Sequence, residues 1–157
     1  MSEQDRLVVF LLDDWRYALH LTQVARVVQM VEITPLPNAP PGVQGVVNLQ
    51  GQVIPVFDIR GRFGLRAHEP GLDDHLIVAR TTRRTVGLVA DEVSDIADKR
   101  AADVAEASAI LPRLGTIEGV LKLEDGLILI HDLERFLSLE EEELLDGALE
   151  ARGGPVP

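Results

Sequence analysis

The sequence contains no cysteine among its 157 residues. Disulfides, thiolate metal sites and cysteine nucleophiles are therefore excluded. Aromatic residues make up only 4% of the chain, so any interior has to be built from aliphatic side chains. No apolar run approaches the roughly 20 residues needed to span a bilayer, and the first residues lack a signal-peptide pattern. These absences predict a cytoplasmic protein with no direct membrane insertion.

Positive charge is also scarce. The chain carries 26 acidic and 15 basic residues, a formal net charge of −11. Such a field repels phosphate backbones and anionic lipid surfaces. We therefore expect no nucleic-acid partner.

Apolar residues are abundant, at 46%, and Val, Ile and Leu at alternating positions favour a mainly β fold. The clearest element is 45–58, predicted to be a hairpin that turns at Gly51, where a missing Cβ permits a positive φ. This stretch recurs at 119–132. Five positions of the two copies are identical: Gly45/Gly119, Val46/Val120, Leu49/Leu123, Ile54/Ile128 and Asp58/Asp132.

A second match, at an offset of 69 residues, relates the start of the chain to the segment that begins near His75. Each half is predicted to contain a hairpin, a helical turn, a connector and a second hairpin. We therefore expect one domain over 1–157, with two related subdomains at about 7–68 and 75–137.

Three helical segments are predicted. Thr22 is a reasonable N-cap for a short helix at 22–27, whose Val24 and Val27 would share one face. A helical turn is predicted after Asp91, carrying Val93 and Ile96. At 138–152 a longer helix is predicted from a capping box, Ser138 with Glu141, and an apolar stripe, Leu145, Ala148 and Leu149.

No constellation of catalytic residues is evident, and we expect no metal or cofactor. The four histidines, His20, His68, His75 and His131, lack metal-ligand spacing. Asp58 and Asp132 are a conceivable acid/base pair, but each follows a strand, which favours turn formation. The glutamates at 140–143 are predicted to be a solvated first helical turn. A non-enzymatic adaptor is favoured, and the alternative is a small enzyme or ligand-binding barrel using the two aspartates.

An ordered set of segments resembles the CheW-like family of bacterial chemotaxis coupling proteins over nearly the whole chain. The set comprises the opening strands, 22–27, Thr-Pro-Leu-Pro at 34–37, 45–60, 86–95, 117–120 and 128–133. The resemblance implies two SH3-like five-stranded β-barrels packed together. It also implies a scaffold that couples chemoreceptors to a CheA-type histidine kinase and is recruited to membrane receptor arrays. Within the same pathway, the alternative is a competitor that binds the kinase without coupling receptors.

The resemblance further implies two partner surfaces. One pairs with the regulatory domain of the kinase, and the other takes the cytoplasmic tip of a chemoreceptor. Carried over position by position, the receptor-binding residues are Val24, Arg26, Val27, Asn48, Leu49, Gln50 and Gly51. Packing or turn roles are implied for Gly45, Gly87 and Gly119.

Two residues depart from the pattern of the family. Its hairpin commonly contains Asn-Leu-Arg-Gly, where this chain has Gln50 in place of the arginine. Its segment at 22–27 commonly carries an acid where Arg26 stands. Exposed ion pairs contribute only about 0–1 kcal/mol, so we expect the fold to tolerate both changes and the choice of partner to change. Neutral drift is the alternative.

Overall fold

The computed structural model describes residues 5–63, 65–66, 69–98, 103–106, 117–136 and 139–153. Within these ranges, short 3₁₀ turns lie at Leu21–Gln23 and Arg60–Phe63, and an α-helix, α1, lies at Leu139–Gly153. The strands are β1 (Arg6–Leu12), β2 (Trp15–His20), β3 (Val24–Gln29), β4 (Val43–Leu49), β5 (Gln52–Phe57), β6 (His75–Arg80), β7 (Thr85–Ala90), β8 (Glu92–Asp98), β9 (Asp103–Glu106), β10 (Ile117–Leu123) and β11 (Gly126–His131).

The strands form two sheets. Sheet 1 has the order β8-β1-β2-β11-β10-β9, and sheet 2 has the order β3-β6-β7-β5-β4. Neighbouring strands are antiparallel except for β2 with β11 and β5 with β7, which are parallel. The predicted mainly β fold is confirmed, with the short strand β9 added at the edge of sheet 1.

The internal repeat is visible in the strand pairing. Val56 lies opposite Gly87 in sheet 2, and the repeat-related Ile130 lies opposite Ala18 in sheet 1. Each half passes strands to the other sheet, since β3 pairs with β6 and β8 pairs with β1. The sheets therefore do not follow the expected division at 7–68 and 75–137. Each sheet takes its opening hairpin from one half and its later strands from the other.

Both faces of most strands are buried, which explains the continuous apolar runs in the sequence. In β1, Leu7 and Val9 point into a cluster inside sheet 1, whereas Phe10 and Leu12 join a cluster shared by both sheets. The interior of sheet 2 is a third cluster, which includes Ile54 and Val78. Successive strand residues point to opposite faces, so each strand contributes to two cores.

The predicted helix after Asp91 is wrong, because that segment is strand β8. The predicted helix at 22–27 is wrong from Val24 onward, because 22–23 lie in a 3₁₀ turn and the rest is strand β3. Both strands contain a register shift, after Val24 in β3 and at the equivalent place in β8. A bulge inserts one extra residue, so residues three apart lie on the same face of the strand. Val24 and Val27 therefore have the spacing of one helix face, while their β-branched side chains favour a strand.

The predicted C-terminal helix is confirmed as α1. Leu145 and Ala148 are buried in the shared cluster, and Leu149 packs against it. The expected solvated acidic turn is wrong for Glu142, which is only 7% exposed because its carboxylate accepts a 3.0 Å hydrogen bond from Arg84 Nε. Ser138, half of the predicted capping box, lies outside the described residues.

Candidate functional site

The β4–β5 hairpin closes through a two-residue turn. Leu49 pairs with Gln52, and the intervening Gln50 and Gly51 have φ values of 54° and 88°. Two positive φ angles are the mark of a type I′ turn, which matches the twist of the flanking strands. The Asn48 side chain stabilises the turn, since its Oδ1 accepts a 2.9 Å hydrogen bond from the backbone N–H of Gly51. Gln50 is exposed at the tip.

The remaining predicted receptor-binding residues lie on β3, at one edge of sheet 2. Val24 packs partly against the shared core, and Val27 is 38% exposed. Arg26 lies opposite Val78 and is half-buried.

Strand register brings these two groups to one end of sheet 2. Val24 is opposite Ala79, one residue before β6 ends. On the next strands, counting back from the Val56–Gly87 pair puts Val53 level with Arg84. The start of β3, the β4–β5 turn and the β6–β7 turn at 81–84 therefore share one end. We call this the turn end of sheet 2.

The β6–β7 turn is a third part of this end that the sequence reasoning did not single out. Within the turn, Thr81 Oγ1 accepts hydrogen bonds of 3.1 Å from the backbone N–H groups of both Arg83 and Arg84. From outside, α1 contributes Glu142 and Asp146, which both bind Arg84. The run Thr-Thr-Arg-Arg at 81–84, polar between two apolar strands, was the available signal.

A residue after β11 also holds this turn. Glu134 accepts hydrogen bonds from the backbone N–H and the hydroxyl of Thr82, at 3.0 and 2.9 Å. A cavity of about 160 Å³ lies between the β6–β7 turn, the segment after β11 and α1. The hydrogen bonds between Glu134 and Thr82 therefore join the segment after β11 of sheet 1 to the β6–β7 turn of sheet 2.

The β1–β2 turn is held from the equivalent position, but by a basic side chain instead of an acidic one. Arg60, which occupies the repeat position of Glu134, donates a 2.7 Å hydrogen bond to Asp13 and a second, short one to Asp91. Its side chain is 1% exposed. Burial lowers the pKa of Arg60, but the hydrogen bonds and charges of Asp91 and Asp13 outweigh this and raise it above its ordinary value. The sequence reasoning missed this buried cation, although the alignment of Arg60 with Glu134 was present in the repeat.

Asp58 and Asp132 occupy equivalent turns. Asp58 Oδ1 accepts a 3.0 Å hydrogen bond from the backbone N–H of Arg60, two residues later. Asp132 Oδ1 accepts a 3.1 Å hydrogen bond from Glu134 in the same way. Such i to i+2 bonds define Asx-turns, so both side chains organise the chain after each hairpin.

His68 lies outside the described residues, and the other three histidines are not gathered at one place. His20 Nε2 lies 2.8 Å from Glu118 on β10, and His75 Nδ1 lies 3.4 Å from the Asp91 carbonyl oxygen. His131 is fully buried with its ring against Phe136. Within the described ranges, no group of three or more acidic or histidine side chains is arranged to hold a metal ion.

Two of the singled-out glycines have tight surroundings. Gly45 has a φ of +148°, and a Cβ there would lie 2.2 Å from the Thr34 carbonyl oxygen, next to the bridge between Thr34 and Val46. At Gly87 a Cβ would lie 2.7 Å from Leu76 Cδ1. Gly119 is buried in β10, beside the register shift equivalent to the one at Gly45.

None of the helices in the described part of the chain is long and apolar enough to cross a bilayer. Two sheets that exchange strands around a shared core define the class of fold, a mainly β protein built from two related halves.

The comparisons with known proteins specify this class. A family profile described as a CheW-like domain matches residues 6–141. The chain is 33% identical over 139 residues to a chemotaxis protein CheW of Rhizobium meliloti (strain 1021), covering 87% of this chain and 90% of that protein. It is 28% identical over 141 residues to the chemotaxis protein CheW of Bacillus subtilis (strain 168), covering 88% of this chain and 90% of that protein.

A solved structure agrees with these matches. The crystal structure of the scaffolding protein TtCheW from Thermoanaerobacter tengcongensis superposes with a TM-score of 0.77 at 27% identity, covering 88% of this chain and 95% of that one. The chain belongs to the CheW-like family.

Proposed function

We propose that this protein is a non-enzymatic scaffold that couples chemoreceptors to a CheA-type histidine kinase. The observation that carries this proposal is its membership of the CheW-like family over residues 6–141, together with its structural likeness to a scaffolding protein of that family. The partners are the regulatory domain of the kinase and the cytoplasmic tip of a receptor. The protein acts in the cytoplasm, at membrane receptor arrays.

The turn end of sheet 2 is the receptor-binding surface. The residues proposed to form this surface are Val24, Arg26, Val27, Asn48, Leu49, Gln50 and Gly51. Support comes from the register that places β3 and the β4–β5 turn at one end and from the exposure of Val27 and Gln50. Asn48 acts indirectly, because its side chain is engaged in holding the turn. Gly45 and Gly87 keep the strands beneath this surface closely packed, and Gly119 has the corresponding role in β10.

Arg26 and Gln50 adapt this surface to a receptor whose charges differ from those usually met by the family. Changing both the sign at position 26 and the charge at position 50 alters which partner charges are tolerated. The double variant Arg26→Glu with Gln50→Arg should gain affinity for a typical receptor hairpin relative to wild type. Binding of a receptor-tip fragment measured by calorimetry checks this. No gain would leave neutral drift as the explanation of the two residues.

Coupling itself is tested by co-sedimentation with receptor-bearing membranes and a CheA-type kinase, with kinase activity as the second readout. A coupling protein sediments with both partners and makes kinase activity depend on the receptor. A protein that binds the kinase but leaves it unresponsive to receptor is a competitor, and the proposal would then be wrong. Asp58→Asn serves as a control, since a turn residue should change stability by about 1 kcal/mol and leave coupling intact.

A further inference from the structure

The turn end of sheet 2 concentrates positive charge on an acidic molecule. The strands and hairpin turns of sheet 2 contain four arginines, Arg26, Arg80, Arg83 and Arg84, and no aspartate or glutamate. All four lie on β3, at the end of β6 or in the β6–β7 turn. The β4–β5 hairpin at 43–57 carries no charge at all.

Sheet 1 has the opposite composition. Its strands and hairpin turns contain ten acidic residues and three basic ones. The repeat-related positions show the contrast directly, since Arg26 corresponds to Asp95 and Arg83 to Asp14. The excess of acid on this chain therefore does not extend evenly over its surface, and the cationic end is a local feature.

Of the two arginines in the β6–β7 turn, Arg83 is the more exposed to solvent. Its side chain is 53% exposed, and its Nε lies 3.6 Å from the carboxylate of Glu142. The same carboxylate already accepts a 3.0 Å hydrogen bond from Arg84, and Arg84 is only 13% exposed. Asp146 also binds Arg84, so two carboxylates of α1 face these two guanidinium groups. The contact of Arg83 is the longer one, at 3.6 Å, and its side chain is the one that faces solvent.

Exposed apolar and amide groups lie on the other strands and turn of the same sheet. Val53, level with Arg84 in the strand register, is 51% exposed, and Val27 is 38% exposed. The exposed Gln50 completes the end with a neutral amide. Such a mixture suits binding to the surface of a folded protein. There the guanidinium group finds carboxylates, the amide finds polar groups, and the aliphatic side chains find apolar groups.

We propose that the turn end of sheet 2 recognises an acidic patch on a folded protein partner and that Arg83 determines this specificity by pairing with a carboxylate. The proposal rests on the proposed function, since it names the chemistry of the partner at the same surface. A nucleic acid or an anionic membrane is disfavoured because either presents phosphates over a wide area and would meet the acidic remainder of the chain. A compact acidic patch is able to reach the exposed Arg83 without meeting the acidic hairpins of sheet 1. The carboxylates that it meets at this end are already bound to Thr82 and Arg84, and they are those of Glu134, Glu142 and Asp146.

The first test uses an oligo-glutamate peptide as an acidic probe and amide chemical shifts as the readout. Resonances of residues 81–84 should move on titration, and the affinity should fall as salt rises. Arg83→Glu should weaken binding about ten-fold or more, as expected when a contact charge is reversed. Lys122→Glu makes the same charge change on the exposed hairpin of sheet 1 and should leave affinity close to wild type.

Equal losses in the two variants, or shifts centred away from 81–84, would overturn the proposal. So would tighter binding to a DNA duplex or to vesicles containing anionic lipid than to the peptide.

A second test separates this inference from the proposed function. A receptor-tip fragment is titrated into wild type, Arg83→Glu and Lys122→Glu under the same conditions. If only Arg83→Glu loses affinity, the result supports both the receptor assignment and the role of Arg83. If wild type and the two variants bind the fragment equally well, the receptor assignment stands and the role of Arg83 is wrong. If wild type binds the peptide at 81–84 but not the receptor fragment, the acidic-partner inference stands and the receptor assignment is wrong.

Discussion

The two sheets have one topology and opposite polar chemistry. In each, the turn of the opening hairpin is held by the residue that follows the hairpin of the other sheet. Arg60 is the donor at the β1–β2 turn, through Asp13, whereas Glu134 is the acceptor at the β6–β7 turn, through Thr82. Asp13 and Thr82 are themselves repeat-related, so the same contact is made twice with the sign of the charge reversed.

This difference shows which features the repeat retains. Several interior positions keep the same residue, as with Leu7 and Leu76, which are both fully buried. Removing buried methyl groups costs from about 1 to 5 kcal/mol, which constrains such positions strongly. The exposed contact of Glu134 belongs to a class that contributes about 0–1 kcal/mol, so its chemistry is free to diverge while its location is kept by the fold. The buried contact of Arg60 is more constrained.

The largest predicted effect is the difference in stability between removing the buried contact of Arg60 and weakening the exposed contact of Glu134. Arg60→Met should lower the free energy of unfolding by about 3 kcal/mol. It leaves an apolar chain beside the carboxylate of Asp91 and beside that of Asp58, whose buried side chain lies 3.9 Å from Arg60 Nε. Glu134→Gln should cost less than about 1 kcal/mol, since its contact is exposed and the amide still accepts hydrogen bonds. Urea denaturation followed by circular dichroism measures both. Similar losses in the two variants would show that burial does not distinguish the contacts.

The second prediction concerns Tyr17, whose repeat-related residue in sheet 2 is the non-ionisable Val86. Burial, and then the charge of Asp13, raise the pKa of Tyr17 to about 12, against a smaller lowering by Arg60. Between its unfolded and folded pKa values the folded state retains a proton that the unfolded state has lost, so stability falls as pH rises through this window. The fall should be about 3 kcal/mol between roughly pH 10 and 12.

Because the chain has a single tyrosine, tyrosinate absorbance follows this group alone. Tyr17→Phe should remove this part of the alkaline instability, and Asp13→Asn should lower the pKa of Tyr17. An unchanged alkaline profile in Tyr17→Phe would mean that other groups, and not this phenol, cause the loss.

Much of this architecture was predictable from sequence, because the positions of the buried aliphatic residues indicate both the internal repeat and the strands. The repeat predicted two related halves, and the apolar stripe at Leu145 and Ala148 predicted α1. Local pattern failed where a bulge altered the strand period, as at Val24 and Val27. It also failed for the exchange of strands between halves and for the burial of Arg60, since both depend on contacts between residues far apart in the chain.

The third prediction compares two glycines of sheet 2. Gly45→Ala should cost about 2 kcal/mol, because the new Cβ meets the Thr34 backbone and φ is unfavourable for alanine. Gly87→Ala should cost about 1 kcal/mol, since the flexible Leu76 side chain is able to shift. Sheet 1 supports this order, as it carries Ala18 at the position equivalent to Gly87. Thermal unfolding ranks the two, and a greater loss in Gly87→Ala would contradict the expectation.

The smallest predicted effect tests the two hairpin tips. Gln50 adopts a positive φ, while its repeat-related residue Glu124 does not. Asparagine tolerates this region better than glutamine, so Gln50→Asn should stabilise the fold by about 0.5 kcal/mol, and Glu124→Asn should give no gain. Denaturant midpoints of the two variants check this.

The same substitution tests why Gln50 is there. If its side chain contacts the receptor, Gln50→Asn should bind the receptor-tip fragment more weakly although the fold is more stable, because the shorter amide reaches less far. Stability and binding would then move in opposite directions, which is the pattern expected when a strained backbone position is kept for recognition. If Gln50→Asn is more stable and binds the receptor-tip fragment as tightly as wild type, the glutamine side chain contributes neither to stability nor to receptor binding.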